Sequence, residues 1–306
     1  MKLTFPIPHL MEIEAMLQPW ERAVTGLDQL RMAQRADELG YDMIGIPEHI
    51  AVPPDDQHTG SFWLHTTTAQ AAIAAATKRI LVNSNITILP FKNPLYHAKE
   101  LATADWLSGG RIAVTFGLGS IRNEFDYFGV PFEERGAIAD EYLEAIIALW
   151  TQDRPSFEGK YVRFHDIGFD PKPVQKPHVP IWIGGDSKPA LRRVAKYGQG
   201  WIISFRTQPE EVPDRLDYIK SQPTWKDRPL EVSYGLGTGR LTKDHAPSGD
   251  DSTSKGLSAQ QIIDALSRFA ELGITVSSVP IPPVSGIEEY LEFSQWVMEE
   301  IKPKLP

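Results

Sequence analysis

The segment GYDMIGIPEHI, residues 40–50, runs an apolar stretch into Pro47, Glu48 and His49 and stops. An imidazole titrating near neutrality can give or take a proton at a reacting group, and a neighbouring carboxylate can orient it. Glu48 and His49 are therefore the first catalytic candidates, with Glu48 expected to orient His49. The plainer assignment, a histidine capping a backbone group beside a glutamate in an ordinary ion pair, stays open on these residues alone. His9 follows the first apolar run in a similar way, but behind two prolines in an expected loop.

A second chemical pattern is IWIGGDSKPALRRVAKYG, residues 181–198. An apolar run, two glycines and then Asp186 or Ser187 as helix cap would present free backbone N–H groups and a positive helix end to a phosphate. Gly184 and Gly185 would let such a ligand approach the main chain. A simple tight turn would use the same residues. In SNITILP, Asn83, Ser84 and Asn85 interrupt an otherwise apolar run, marking either a bulge or a ligand contact, because buried polar groups must be hydrogen-bonded. The eight histidines are scattered without metal-ligand spacing, and neither a G-x-S-x-G elbow nor a G-x-G-x-x-G turn opening a helix occurs.

The elements that must position these groups alternate between strand-length apolar runs and helical periodicity, the pattern of a parallel sheet covered by helices. KLTFPIP, DMIGIP, RILVNSNITIL and RIAVTFGLG read as the first four strands, and VPIWIGG, QGWIIS, LEVSYGLG and ITVSSVPI as four more. Helices follow each of them; threonines are expected to cap the one in TTTAQAAIAAAT. Eight such units in 306 residues predict a closed (β/α)8 TIM barrel occupying residues 1–306 as one domain. Residues 152–180 form an expected loop or hairpin insertion, and 244–256, a polar low-complexity stretch, an expected flexible loop or lid. In this fold chemistry sits at the C-terminal ends of the strands, where Glu48, His49 and the GGDS turn all fall.

Composition narrows the function classes. With 42% hydrophobic and 23% charged residues the chain can bury a large core. A net charge of −9 argues against general nucleic-acid binding, and zero cysteines exclude thiolate chemistry. No apolar run approaches the length of a membrane span and the N-terminus has no signal pattern, so a cytoplasmic protein without membrane partners is expected.

Several segments together resemble the luciferase-like flavin and deazaflavin oxidoreductases: AQRADELGYDMIGIPEHI, the stretch from KRILVNSNITILPF through SGGRIAVTFGLG, FGVPFEERG, and FEGKYVRFHDIGFDPKPVQKPHVPIWIGGDSKPALRRVAKYGQGWI. They cover most of residues 30–203; residues 204–306 carry much less. The resemblance implies a flavin-type ring at the C-terminal rim with its phosphate on the helix after IGGD. It makes Gly184, Gly185 and Ser187 phosphate contacts, with Ser204 and Arg206 near the phosphate or tail. Asn85–Ile86 falls at a bulge where a non-proline cis peptide supports the ring, and His49 falls near the reactive face. The chain departs from several deazaflavin dehydrogenases in having Ser120 directly after its G-x-G; the nearest acid is Glu124, a helix-start carboxylate.

GLGSIRNEFDYFGVPFEERG looks most like the branch that uses coenzyme F420, which is restricted in practice to hydride transfer. Lys92, Arg122, Lys188 and Arg206 are expected around the rim, where they can meet the acidic tail of that coenzyme. An FMN-dependent monooxygenase using O2 is the alternative, and a non-catalytic flavin-binding barrel a third reading. Phe62, Trp63, Phe91 and Phe205 suit an apolar or aromatic small organic substrate. The resemblance also implies a homodimer, for which the alanine-rich AQAAIAAA helix offers a close-packing face.

Overall fold

Residues 1–54, 56, 59–204, 206–236 and 257–306 are described by a computed structural model of the chain. In chain order the strands are β1 (Lys2–Phe5), β2 (Met43–Ile46), β3 (Leu81–Ser84), β4 (Thr87–Ile88), β5 (Ile112–Gly117), β6 (Phe157–Glu158), β7 (Arg163–Phe164), β8 (Ile181–Gly184), β9 (Gly200–Ile202), β10 (Glu231–Ser233) and β11 (Val276–Ser277). Eight of them run parallel in the order β3, β2, β1, β11, β10, β9, β8, β5, and β3 pairs again with β5, closing the barrel. β4 is not an independent strand of the ring but the far half of the run RILVNSNITIL, which pairs only with β5 after a break at Asn85–Ile86. β6 and β7 form a small antiparallel hairpin within 152–180.

Helices α1 (Gly26–Leu39), α2 (Thr66–Ala76), α3 (Pro94–Ser108), α5 (Arg135–Thr151), α6 (Lys188–Tyr197), α7 (Val212–Lys220), α8 (Ala259–Glu271) and α9 (Ile287–Trp296) separate or follow the barrel strands, and the short α4 (Arg122–Phe128) is an addition after β5. Local signals account for the boundaries. Thr25 and Asp28 cap α1 reciprocally, and Gly40 ends it at φ 87°, a conformation glycine adopts without steric cost. Asn93 accepts two N–H bonds at the start of α3, with Pro94 as its first residue. At α2 the cap is His65 rather than a threonine: Thr66 and Thr67 lie inside the first turn, buried against the barrel.

Alternation along the strands sorts side chains between two cores. Ile44, Ile46, Val82, Ile112, Val114, Phe116, Ile181 and Ile183 belong to the large cluster packed with the helices. Met43, Leu81, Trp182, Ile202 and Val276 form a second cluster. Trp182 leaves no room opposite it: a Cβ on Gly200 would lie 2.1 Å from its indole. Toward the C-terminal ends, the positions in step with that second cluster become small or polar, namely Gly45, Asn83, Thr115 and Gly184. The barrel is thus plugged by large side chains at one end and roomy at the other. The stretch 244–256 lies outside the described residues.

Candidate active site

The break between β3 and β4 shapes the mouth. Asn85 N–H donates to Ile46 O at 2.6 Å, the Asn85–Ile86 peptide is cis, and Asn85 is exposed while Ile86 is half-buried. The Ile86 side chain occupies the space over two glycines: a Cβ on Gly117 would fall 1.9 Å from its Cδ1, and one on Gly184 2.7 Å from its Cγ2. Polar neighbours supply the hydrogen bonds that the departing strand no longer makes. Ser84 Oγ accepts from Thr115 N–H at 2.9 Å and donates to Thr115 O at 3.2 Å. Thr115 Oγ1 donates to Asn83 Oδ1, and Gln70 Nε2 donates to both Val82 O and Ala113 O. The polar interruption in SNITILP is therefore a bulge whose backbone is satisfied by side chains.

His49 leaves β2 beside this bulge, and its partner is not Glu48. Nδ1 lies 2.7 Å from Oε2 of Glu124, while Glu124 Oε1 accepts the N–H groups of Ile50 at 2.9 Å and Ala51 at 3.2 Å. Glu124 is in the first turn of α4 and fully buried. An ionised carboxylate can only accept, so it places the proton of a neutral imidazole on Nδ1 and leaves Nε2 as the basic nitrogen. The Trp63 ring meets the imidazole edge-on at 4.6 Å.

Glu48 is turned away into the wall. Thr66 Oγ1 and the Lys92 ammonium reach its Oε1 at 2.7 and 2.9 Å, and Ile88 N–H reaches Oε2 at 3.0 Å. Burial pushes its carboxyl pKa up, but Lys92 and these hydrogen bonds outweigh burial and hold it below the ordinary value. The expectation that Glu48 orients His49 is thus corrected: the carboxylate that does so comes from 75 residues along the chain. His9 sits at φ 59° with its ring tied to Val24 O and Glu12 and stacked on Phe62 at 4.4 Å.

At the β8–α6 turn Gly185 has φ 107° and donates its N–H to Ile202 O. Ser187 is the helix cap, its hydroxyl accepting from Ala190 N–H at 3.3 Å. Asp186 does not cap: its carboxylate accepts the N–H of Ser204 at 3.0 Å and the Ser204 hydroxyl, tying the end of β9 to the turn. Ser204 Oγ in turn accepts from Arg206 N–H, and Arg206 is exposed; Phe205 lies outside the described residues. Ser204 and Asp186 thus satisfy each other, and the donors left for an anion are the N–H groups of the first turn of α6.

Two of the four expected rim cations are committed elsewhere. Lys92 is buried against Glu48, and Arg122 pairs with Glu133 over the Phe132 ring. Lys188 and Arg206 remain on the α6 side. Among the aromatic candidates, Phe91 packs on Phe125 and Phe128. A planar ring with a phosphate arm fits what is present: an apolar shelf at Ile86 over Gly117 and Gly184, glycine backbone at Gly185, and a capped helix start beside it. Among the described residues no cluster of histidines and carboxylates is assembled as a metal centre, and no helix is long and apolar enough to cross a membrane.

A family model described as luciferase-like monooxygenase matches residues 15–239. An uncharacterised protein of Mycobacterium tuberculosis is 29% identical over 268 residues, covering 82% of this chain and 86% of that one. The FMNH(2)-dependent dimethylsulfone monooxygenase of Pseudomonas putida is 33% identical over 197 residues, covering 63% of this chain and 52% of its own. Among solved structures, the monooxygenase RslO1 from Streptomyces bottropensis superposes with a TM-score of 0.79 at 23% identity, covering 99% of both chains. An F420-dependent secondary alcohol dehydrogenase superposes with a TM-score of 0.73 at 17% identity, covering 100% of this chain and 99% of that one. At these identities both structures speak for the fold.

Proposed function

Because the chain belongs to the luciferase-like monooxygenase family, we propose that it is an oxidoreductase that takes coenzyme F420 into the barrel mouth and transfers a hydride between it and a small organic substrate. The observation that carries this reading is the His49–Glu124 pair standing beside the Ile86 shelf. When bound, a deazaflavin ring supplies or accepts the hydride. His49 gives the proton that a carbonyl oxygen needs as hydride reaches its carbon, or removes it from an alcohol in the reverse direction. Glu124 holds the tautomer and offsets the charge of the imidazolium. Ile86, with Gly117 and Gly184 beneath it, supports the ring; Asn85 faces the opening; the first turn of α6 with Gly185 and Ser187 receives the phosphate, and Lys188 and Arg206 the acidic tail.

A second reading, an FMN-dependent monooxygenase, is favoured by the name of the 33% identical Pseudomonas relative and by the loss of Lys92 and Arg122 from the set of available rim cations. Substrate-dependent oxygen consumption with reduced FMN separates the two. Anaerobic turnover with F420 and no oxygen requirement supports the first; oxygen uptake coupled to substrate with FMN supports the second. We also propose a homodimer built on α2 and α3, on whose outer side Tyr96, Trp106 and Leu107 are 77%, 58% and 69% exposed.

A further inference from the structure

Glu48 is too deeply enclosed to meet a substrate, yet it is the most connected carboxylate near the mouth. Its side chain is 0% exposed, and that of Lys92, 2.9 Å away, is 10% exposed. Its donors come from three separate segments: Thr66 from the first turn of α2, Ile88 from β4, and Lys92 from the link into α3. Lys92 Nζ also lies 3.2 Å from His65 Nε2, which anchors it inward and away from the rim. Glu48 directly precedes His49, and Ile88 lies two residues beyond Ile86. One buried ion pair therefore joins the strand end that carries the imidazole to the strand piece that carries the shelf.

We propose that the Glu48–Lys92 pair is a positioning device that fixes His49 relative to the Ile86 shelf. This rests on reading His49 as the proton group and Ile86 as the ring support. A packing role alone would be met by any side chains of similar volume, whereas an ion pair imposes an asymmetry that can be read. Removing one partner strands the other's charge in the wall, while removing both leaves no charge to compensate. Glu48→Gln keeps the shape and an acceptor for Ile88 N–H but leaves the ammonium unpaired. Lys92→Met does the reverse.

The test measures hydrogen exchange by segment in wild type, Glu48→Gln, Lys92→Met and the double variant, with Asp37→Asn as a control. Asp37 caps the N–H groups of residues 78–80 that lead into the start of β3, away from the mouth. Each single variant is expected to raise exchange at least tenfold in both 47–51 and 85–91, the double variant to return toward wild type, and the control to leave both segments unchanged. In turnover, Glu48→Gln is expected to lower kcat about tenfold with the pH inflection unmoved. Loosening of only one segment, no recovery in the double variant, or a shifted inflection overturns the proposal. The exchange result needs no cofactor, so wild-type protein inactive with both F420 and FMN would refute the oxidoreductase reading while exchange still decides the role of the pair.

Discussion

Replacing Glu124 by glutamine isolates its interaction with His49. The amide oxygen can still accept the N–H groups of Ile50 and Ala51, so the loop after β2 stays anchored. The amide nitrogen, however, now donates toward Nδ1, which moves the imidazole proton to Nε2 and removes the base from the reactive side. The charge-assisted bond lost at 2.7 Å is worth about 1.5–3 kcal/mol. If it acts in the transition state, kcat/KM falls roughly 10- to 150-fold, while cofactor affinity and melting temperature change little. His49→Ala should lose at least as much, and the double variant no more than His49→Ala, because the two side chains act as one unit. Steady-state kinetics across pH, with thermal melts as control, provide the assay. A folded Glu124→Gln enzyme within twofold of wild type, or losses that multiply in the double variant, would refute the pairing as catalytic.

Other expectations follow from the same geometry. Gly184→Ala should weaken cofactor binding more than Gly117→Ala, because the new methyl meets the branched Cγ2 of Ile86 at 2.7 Å rather than its rotatable Cδ1; calorimetric titration ranks the two, and adding Ile86→Ala should recover part of the loss. His97 is fully buried beside Glu100, and burial holds its pKa below the ordinary value. The unfolded chain therefore binds a proton near pH ~6.5 that the folded chain does not, so stability falls as pH drops below that point, by at most about 1.4 kcal/mol per pH unit. His97→Gln should flatten denaturant-measured stability between pH 7 and 5.5, and an unchanged slope would exclude His97 as its source. Trp106→Glu with Leu107→Glu should convert a dimer to a monomer by light scattering, and an unaltered mass would move the interface elsewhere.

The barrel is legible in the sequence because its strands are short apolar runs, each punctuated by a glycine, proline or helix cap, and that local pattern survives folding. The SNIT bulge was visible for a similar reason: three polar residues in a buried run need partners, and Ser84, Asn83 and Gln70 make them. Long-range pairing was not visible. Glu48 stood next to His49 in the chain and drew the orienting role, but neighbours along a strand point to opposite faces. Glu124 reaches the imidazole only because closure of the barrel brings α4 over the end of β2. Lys92 likewise looked like a rim cation until Glu48 drew it inward. Asp186 was read for its cap chemistry, whereas the Ser204 N–H competes for its carboxylate and leaves the cap to Ser187.

The most direct measurement is a fluorescence-quenching titration of the apoprotein with F420 and, separately, with FMN, reported by its eight tryptophans. Saturable binding of F420 at a concentration where FMN does not bind is the predicted result. Saturable binding of FMN alone would contradict the hydride-transfer assignment and leave the monooxygenase reading in its place.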